Sequence, residues 1–128
     1  MNEDYVPYEA AKLLKEKGFE WRCHACYDYD KPDKLVFLEG ISNPCSIIYA
    51  APTPYIARKW LRETKGIYIW VEPVVGRKWT TSSCDFNVSL EESDWIEREL
   101  HKDGYPIYNT FEGSLQTGIL ESLKLICQ

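Results

Sequence analysis

Two cysteines flank a histidine in the stretch WRCHACYDYD, and these residue types could hold a metal or run thiol chemistry. Structural zinc needs four ligands, usually as two separated pairs. The other candidate ligands are isolated in the sequence: Cys45, Cys84, His101 and Cys127. Cys23 and Cys26 would point to opposite faces of a strand, so they could not share a metal without a tight turn. We therefore predict that Cys23 packs in the core and His24 faces solvent, with no metal and no cofactor.

Thiol and covalent catalysis find little support in the rest of the chain. A thioredoxin-like cysteine pair lies at the N-terminus of a helix. Tyr-Asp-Tyr follows this cysteine pair instead, within a segment that predicts a strand. A nucleophile needs an adjacent base and an orienting group, yet the chain has two histidines and no Gly-x-Ser-x-Gly segment. Its seven glycines are scattered and form no phosphate-binding loop. The carboxylates between positions 91 and 99 are typical of a solvated face, so we predict no enzyme and no catalytic residue.

Basic residues are concentrated between positions 53 and 78 of a chain whose net charge is −5. Six cations form a candidate basic patch: Arg58, Lys59, Arg62, Lys65, Arg77 and Lys78. Only Glu63 and Glu72 oppose them within that segment, which leaves it four positive charges in excess. A basic helix followed by a basic hairpin tip is typical of a winged-helix nucleic-acid binder.

Two observations count against the winged-helix hypothesis. The segment before the second predicted helix has the pattern of a strand and a loop, so the first helix of a helix-turn-helix is missing. An acidic chain also attracts phosphate weakly. Nucleic-acid binding by the 53–78 region is therefore the alternative hypothesis. The same charges are also explained by a solvated helix face that is partly paired with the acidic 91–103 segment.

Aromatic residues make up 14% of the chain, more than one small core can bury. Nine are candidates for exposure: Tyr27, Tyr29, Tyr49, Tyr55, Tyr68, Trp79, Trp95, Tyr105 and Tyr108. Tyr and Trp are favoured at protein interfaces, and sheet edges invite pairing between copies. The preferred hypothesis is a non-enzymatic domain that binds a protein partner or itself as a homodimer.

The elements that must position these residues follow from periodicity and from capping residues. Three helices are predicted, at 7–18, 53–64 and 110–126. Strands are predicted at 21–29, 35–38, 67–71 and 84–90, with shorter ones at 46–49 and 105–108 and a short helix at 93–101. Ile67 to Val71 is apolar on both faces, which indicates a central strand. Gly118 should weaken the last helix by ~1 kcal/mol relative to Ala unless close packing needs the space.

Together these elements predict a single α+β domain over residues 1–128, mainly an antiparallel sheet with three principal helices in the order α-β-β-α-β-β-α. The acidic start has no apolar leader, and no apolar run is long enough to cross a bilayer. Five cysteines are an odd number and too few for a disulfide scaffold. We expect a cytoplasmic protein with reduced thiols and no membrane partner.

Three blocks of the chain carry a resemblance in combination: YEAAKLLKEKGFE, APTPYIARKWLRETKGIYIWVEP and YNTFEGSLQTGILESLKLI. With the Cys- and Tyr-bearing strand between the first two, their order resembles a family of small proteins encoded by gut Bacteroides-type bacteria and their phages and mobile elements. The resemblance covers nearly the whole chain apart from positions 30–50 and 76–104. It implies a cytoplasmic setting and accessory-genome or phage biology. The family carries no assigned activity, so the resemblance implies no site residues.

Overall fold

The computed structural model describes residues 4–41, 43, 47–85 and 107–126. Helix α1 (Tyr8–Glu16) is followed by strands β1 (Cys23–Asp28), β2 (Leu35–Ile41) and β3 (Ile48–Ala50). Helix α2 (Pro54–Trp60) then continues into a π-helical segment (Leu61–Lys65). The hairpin of β4 (Ile67–Val74) and β5 (Lys78–Asp85) and the helix α3 (Phe111–Leu125) complete the elements. The predicted α+β class with three principal helices is confirmed. The short helix predicted at 93–101 lies outside the described residues.

The helix ends form where the sequence places capping residues. Thr53 accepts a hydrogen bond from the Ile56 amide, and Pro54 occupies the first turn of α2, where its missing N–H is not needed. Thr110 caps α3 in the same way through the amide of Gly113. Gly18 follows α1 at a φ of 98°, a left-handed conformation in which a Cβ is strained. These predicted helix boundaries are therefore confirmed.

The strands form two separate antiparallel sheets within the described residues, not the one sheet that was predicted. The first has the order β2-β1-β3, and the second is the β4-β5 hairpin. Ala25 lies opposite Phe37, and Tyr27 lies opposite Leu35 on one side and Tyr49 on the other. Between the pairs Cys23–Ile41 and Ala25–Phe37, one residue of β1 faces three of β2, and Gly40 among them adopts a φ of 68°. This bulge ends the regular part of β2 after Phe37.

The second sheet corrects two predictions. The strand predicted at 84–90 begins where β5 ends, because β5 spans Lys78–Asp85; positions 86–90 lie outside the described residues. The strand predicted as central, β4, pairs only with β5 in the described part of the chain. Tyr68 is 38% exposed, so β4 is not covered on both faces. Aromatic and β-branched residues indicated a strand correctly but did not determine its burial. Of the predicted strand at 105–108, Tyr108 forms a single bridge to Trp79.

Helix α3 is the centre of the main core, which also contains side chains from α1, β1, α2 and β4. Leu115, Ile119 and Leu123 are buried against these elements, as their spacing predicts. In α2, Ala57 and Trp60 face inward as expected. The apolar spacing of α2 also predicts an inward Ile56, and this is wrong, since its side chain is 38% exposed.

None of the helices in the described ranges is both long and apolar enough to pass through a bilayer.

Candidate functional site

The strand β1 separates the two cysteines of the opening motif. Cys23 lies in the main core, whereas Cys26 belongs to a smaller cluster with Ile48 and Val36. His24 is exposed between them, so the predicted positions of Cys23 and His24 are confirmed. The strand alternation placed Cys26 on the polar side, and this is wrong: it is 1% exposed, since β2 and β3 supply apolar neighbours on both sides.

Burial also determines the chemistry of these thiols. Desolvation, followed by the neighbouring Cys26, raises the pKa of Cys23 to about 12. A thiol with this pKa stays protonated near neutral pH, whereas the thiolate is the nucleophile and the metal ligand. Among the described residues, no three His, Cys, Asp or Glu side chains are grouped closely enough to hold a metal ion.

A small cleft of about 80 Å³ lies beside this motif, between the start of β1 and the connection from β3 to α2. Its wall includes Tyr5, Arg22, His24, Thr53 and Ile56. None of the described residues that line it carries a carboxylate. Sequence reasoning missed this cleft because its wall comes from three segments that are far apart in the chain.

The outer edge of β2 is a second surface feature. Among the described residues β2 pairs with β1 alone, so its other edge has no strand neighbour. Phe37 is 57% exposed and Leu38 is 56% exposed. Because successive strand residues point to opposite faces, apolar surface is exposed on both sides of this edge. The ring of Tyr5 lies edge-on to Phe37 at 5.3 Å between centroids.

The six residues of the candidate basic patch are not brought together by any contact in the described residues. Three of them lie over different rings: Arg58 over Tyr55 at 5.4 Å, Arg62 over Tyr68 at 5.6 Å and Lys65 over Trp60 at 5.7 Å. Lys59 is exposed on α2. Arg77 is exposed at the hairpin turn with a φ of 60°, and Lys78 donates a hydrogen bond to Asn109. The eight residues of β4 separate this turn from Lys65 by ~26 Å along the strand.

A cluster of tyrosines surrounds Lys15, and the sequence did not predict it. The Tyr29 and Tyr49 rings stack at 4.4 Å, and the Lys15 Nζ lies 4.8 Å from the centre of the Tyr29 ring. The same ammonium donates to the Tyr29 hydroxyl at 2.6 Å and to the Ile48 carbonyl at 2.9 Å. Partial burial, followed by the nearby Tyr8 and Tyr29, raises the pKa of Tyr49. Through these contacts the cluster connects the last turn of α1 to the first sheet.

Of the nine aromatics that one small core could not all bury, seven lie in the described residues, and they differ in exposure. Tyr29, Tyr55 and Tyr68 are exposed as expected. Tyr27 is buried, because its ring enters the main core while its hydroxyl donates to the Val6 carbonyl at 2.9 Å. The partly buried members are Tyr49, Trp79 and Tyr108, and Trp95 and Tyr105 lie outside the described residues.

Comparison of the whole chain with protein-family models, with curated proteins and with solved structures finds no match in any of the three. The resemblance to small proteins of Bacteroides-type bacteria and their phages therefore stays a prediction.

Proposed function

We propose that this chain is a non-enzymatic protein-interaction domain that self-associates through the outer edge of β2. The observation that carries the proposal is the pair Phe37 and Leu38, both more than half exposed on a strand edge that has no described neighbour. An edge strand presents a row of unpaired N–H and C=O groups that a second strand can satisfy. The regular part of β2, Leu35 to Phe37, and the adjacent Leu38 offer four residues for this pairing before Gly40.

Symmetry makes a second copy a suitable partner for this edge. A two-fold axis perpendicular to the sheet at Phe37 would pair Phe37 with Phe37 of the second copy in antiparallel register, which is an isologous interface. It would also place Leu38 of each copy opposite Val36 of the other, an apolar cross-strand contact on one face. The buried thiol supports the non-enzymatic part of the proposal, since its raised pKa leaves it protonated near neutral pH.

Light scattering coupled to size exclusion, run from 5 to 200 µM protein, tests the proposal. We expect a concentration-dependent dimer that is lost in Leu38→Lys, because a lysine on the edge blocks strand addition. Val75→Lys is the matched control, as Val75 is 98% exposed at the hairpin turn and far from this edge. A wild-type monomer at every concentration, or a dimer that survives Leu38→Lys, would refute self-association through β2.

Nucleic-acid binding remains the second candidate because of one row of aromatic rings. Tyr55 stacks with Phe111 at 6.4 Å, and Phe111 lies edge-on to Trp79 at 5.5 Å. Arg58 is at one end of this row, over Tyr55, and Lys78 precedes Trp79 at the other. Stacking rings flanked by cations are typical of surfaces that bind single strands.

The same light-scattering experiment separates the two candidates when a mixed-sequence 20-nucleotide single-stranded DNA is added at 50 and 200 mM NaCl. The protein-interaction proposal expects no DNA-dependent shift. A DNA complex that weakens at the higher salt and is reduced in Arg58→Gln, but not in Lys12→Gln on α1, would instead favour the nucleic-acid candidate.

A cytoplasmic location belongs to the same proposal. It is supported by Cys23, which is buried as a thiol without a disulfide. Cell fractionation followed by immunodetection of the tagged chain would test it, and recovery outside the cytosolic fraction would contradict it.

A further inference from the structure

The cleft beside β1 combines apolar walls with the guanidinium of Arg22 and the imidazole of His24. The Tyr5 ring and Ile56 line it, and Ile56 is 38% exposed although α2 would bury it by its spacing. The volume of about 80 Å³ gives room for a small group. At ~10–15 Å³ for each water-sized group, it would hold roughly five to eight heavy atoms. The cleft is therefore the right size for one short aliphatic chain with a polar end.

Its charge is opposite in sign to that of the chain as a whole. Twenty acidic residues outnumber fifteen basic ones in the chain, yet the described residues that line the cleft include Arg22 and no carboxylate. The side chains of Arg22 and His24 are exposed, and within the described ranges neither makes a hydrogen bond or an ion pair. The Arg22 guanidinium is held near Gly40, where an added Cβ would lie 3.8 Å from its Nη1. A planar guanidinium fork matches a carboxylate through two parallel hydrogen bonds.

We propose that this cleft binds an aliphatic carboxylate, with the alkyl part against Tyr5 and Ile56 and the carboxylate on Arg22. The imidazole of His24 supplies a further polar contact at the rim. This chemistry is presented by a free branched-chain acid and by the C-terminal residue of a peptide. The described residues that line the site belong to β1, α2 and the segments before them rather than to β2, although the Tyr5 ring also contacts Phe37. Binding of a small carboxylate there goes beyond the self-association proposed above.

Two small probes test the inference by ¹H–¹⁵N correlation spectra of the full chain. Sodium isovalerate carries the carboxylate on an isobutyl group, and isovaleramide is its neutral isostere. We expect isovalerate to give saturable shifts at residues 22–24 and 51–56, with a Kd in the millimolar range, as suits a seven-atom ligand. Isovaleramide should bind at least fivefold more weakly because it cannot form the charged pair with Arg22.

Arg22→Gln should lower isovalerate affinity at least fivefold, to the level of the amide. Arg77→Gln is the matched control, since Arg77 is also an exposed arginine, on the distant hairpin turn. The dispersion of each variant's spectrum shows that it remains folded. Equal binding of the acid and the amide, no saturable shift, or unchanged affinity in Arg22→Gln would each overturn the inference.

A third probe, acetyl-Gly-Leu with a free carboxylate, identifies the source of the ligand. Binding at least tenfold tighter than isovalerate would identify a peptide C-terminus, because the added backbone would then make contacts outside the cleft. Equal or weaker binding would identify a free acid. Leu38 is not among the residues that line this cleft, so Leu38→Lys should abolish the β2-mediated dimer without changing isovalerate affinity, and failure of either proposal can be recognised independently of the other.

Discussion

Gly118 provides the sharpest test of how α3 packs on the β4-β5 hairpin. An ideal Cβ at this position would lie 2.4 Å from Thr81 Oγ1 and 3.1 Å from Ile69 Cγ2. Thr81 cannot rotate away without loss, because its hydroxyl donates to the Trp70 carbonyl at 3.3 Å and rotation would bring its methyl group toward the helix. Gly118→Ala must therefore separate the helix and the sheet or break this hydrogen bond.

Two opposing contributions to the free energy of unfolding decide whether Gly118→Ala stabilises or destabilises the protein. Alanine in a helix interior gains about 1 kcal/mol over glycine from propensity. Overpacking a close contact costs about 1–3 kcal/mol. The clash here is about 1 Å shorter than ordinary contact, so we place its cost in the upper half of that range. The net expectation is that Gly118→Ala lowers the free energy of unfolding by about 1–2 kcal/mol, and Tm by ~3–8 °C for a chain of this size.

Urea unfolding followed by circular dichroism measures this difference, and a second substitution identifies its cause. In a Thr81→Ala background the closest atom is gone, and we expect Gly118→Ala to lower the free energy of unfolding by less than 0.5 kcal/mol. The difference from the wild-type background is the coupling energy expected for two residues in contact. In Thr81→Val a methyl group replaces the hydroxyl, so the penalty should persist. A neutral or stabilising Gly118→Ala, or a penalty that is equal in the Thr81→Ala background, would refute the proposed close packing.

Three further predictions concern the thiols, the alkaline limit of stability and the tyrosine cluster. Iodoacetamide at pH 8 should leave Cys23 and Cys26 unmodified in the native protein and label both in urea, as peptide mass mapping would show; native labelling would contradict their burial. The free energy of unfolding should fall as pH rises from about 9, because the unfolded state loses the Cys23 proton near its usual pKa of 9.0 whereas the folded state keeps it to about 12. Burial raises the pKa of Tyr27 in the same sense, and Cys23→Ala should recover about 1 kcal/mol of the loss at pH 10 in urea unfolding; a pH-independent stability would contradict this. Lys15→Met should cost about 1–2 kcal/mol through its lost hydrogen bonds and ring contact, whereas Lys12→Met on the exposed face of α1 should change stability by less than ~0.5 kcal/mol, and equal effects of the two would contradict a stabilising role for the cluster.

The sequence alone determined the features that depend on near neighbours in the chain. Thr53 and Thr110 cap their helices through hydrogen bonds to amides three residues ahead, and Gly18 ends α1 in a left-handed conformation. The inward position of Cys23 and the outward position of His24 followed from strand alternation. These contacts are local, so residue type and spacing were sufficient to predict them.

Tertiary structure decided everything that depends on which distant segments meet. Cys26 is buried because β3 pairs with β1, and strand alternation within β1 contains no information about that neighbour. The six cations of the candidate basic patch lie within one segment of the sequence. In the structure three of them lie over different rings, and the length of β4 separates the other end of the patch, at the hairpin turn, from α2. Arg22 meets Ile56 at the cleft only after the β3-α2 connection folds back onto β1. Long-range packing places these side chains, and no periodicity of 2 or 3.6 residues encodes it.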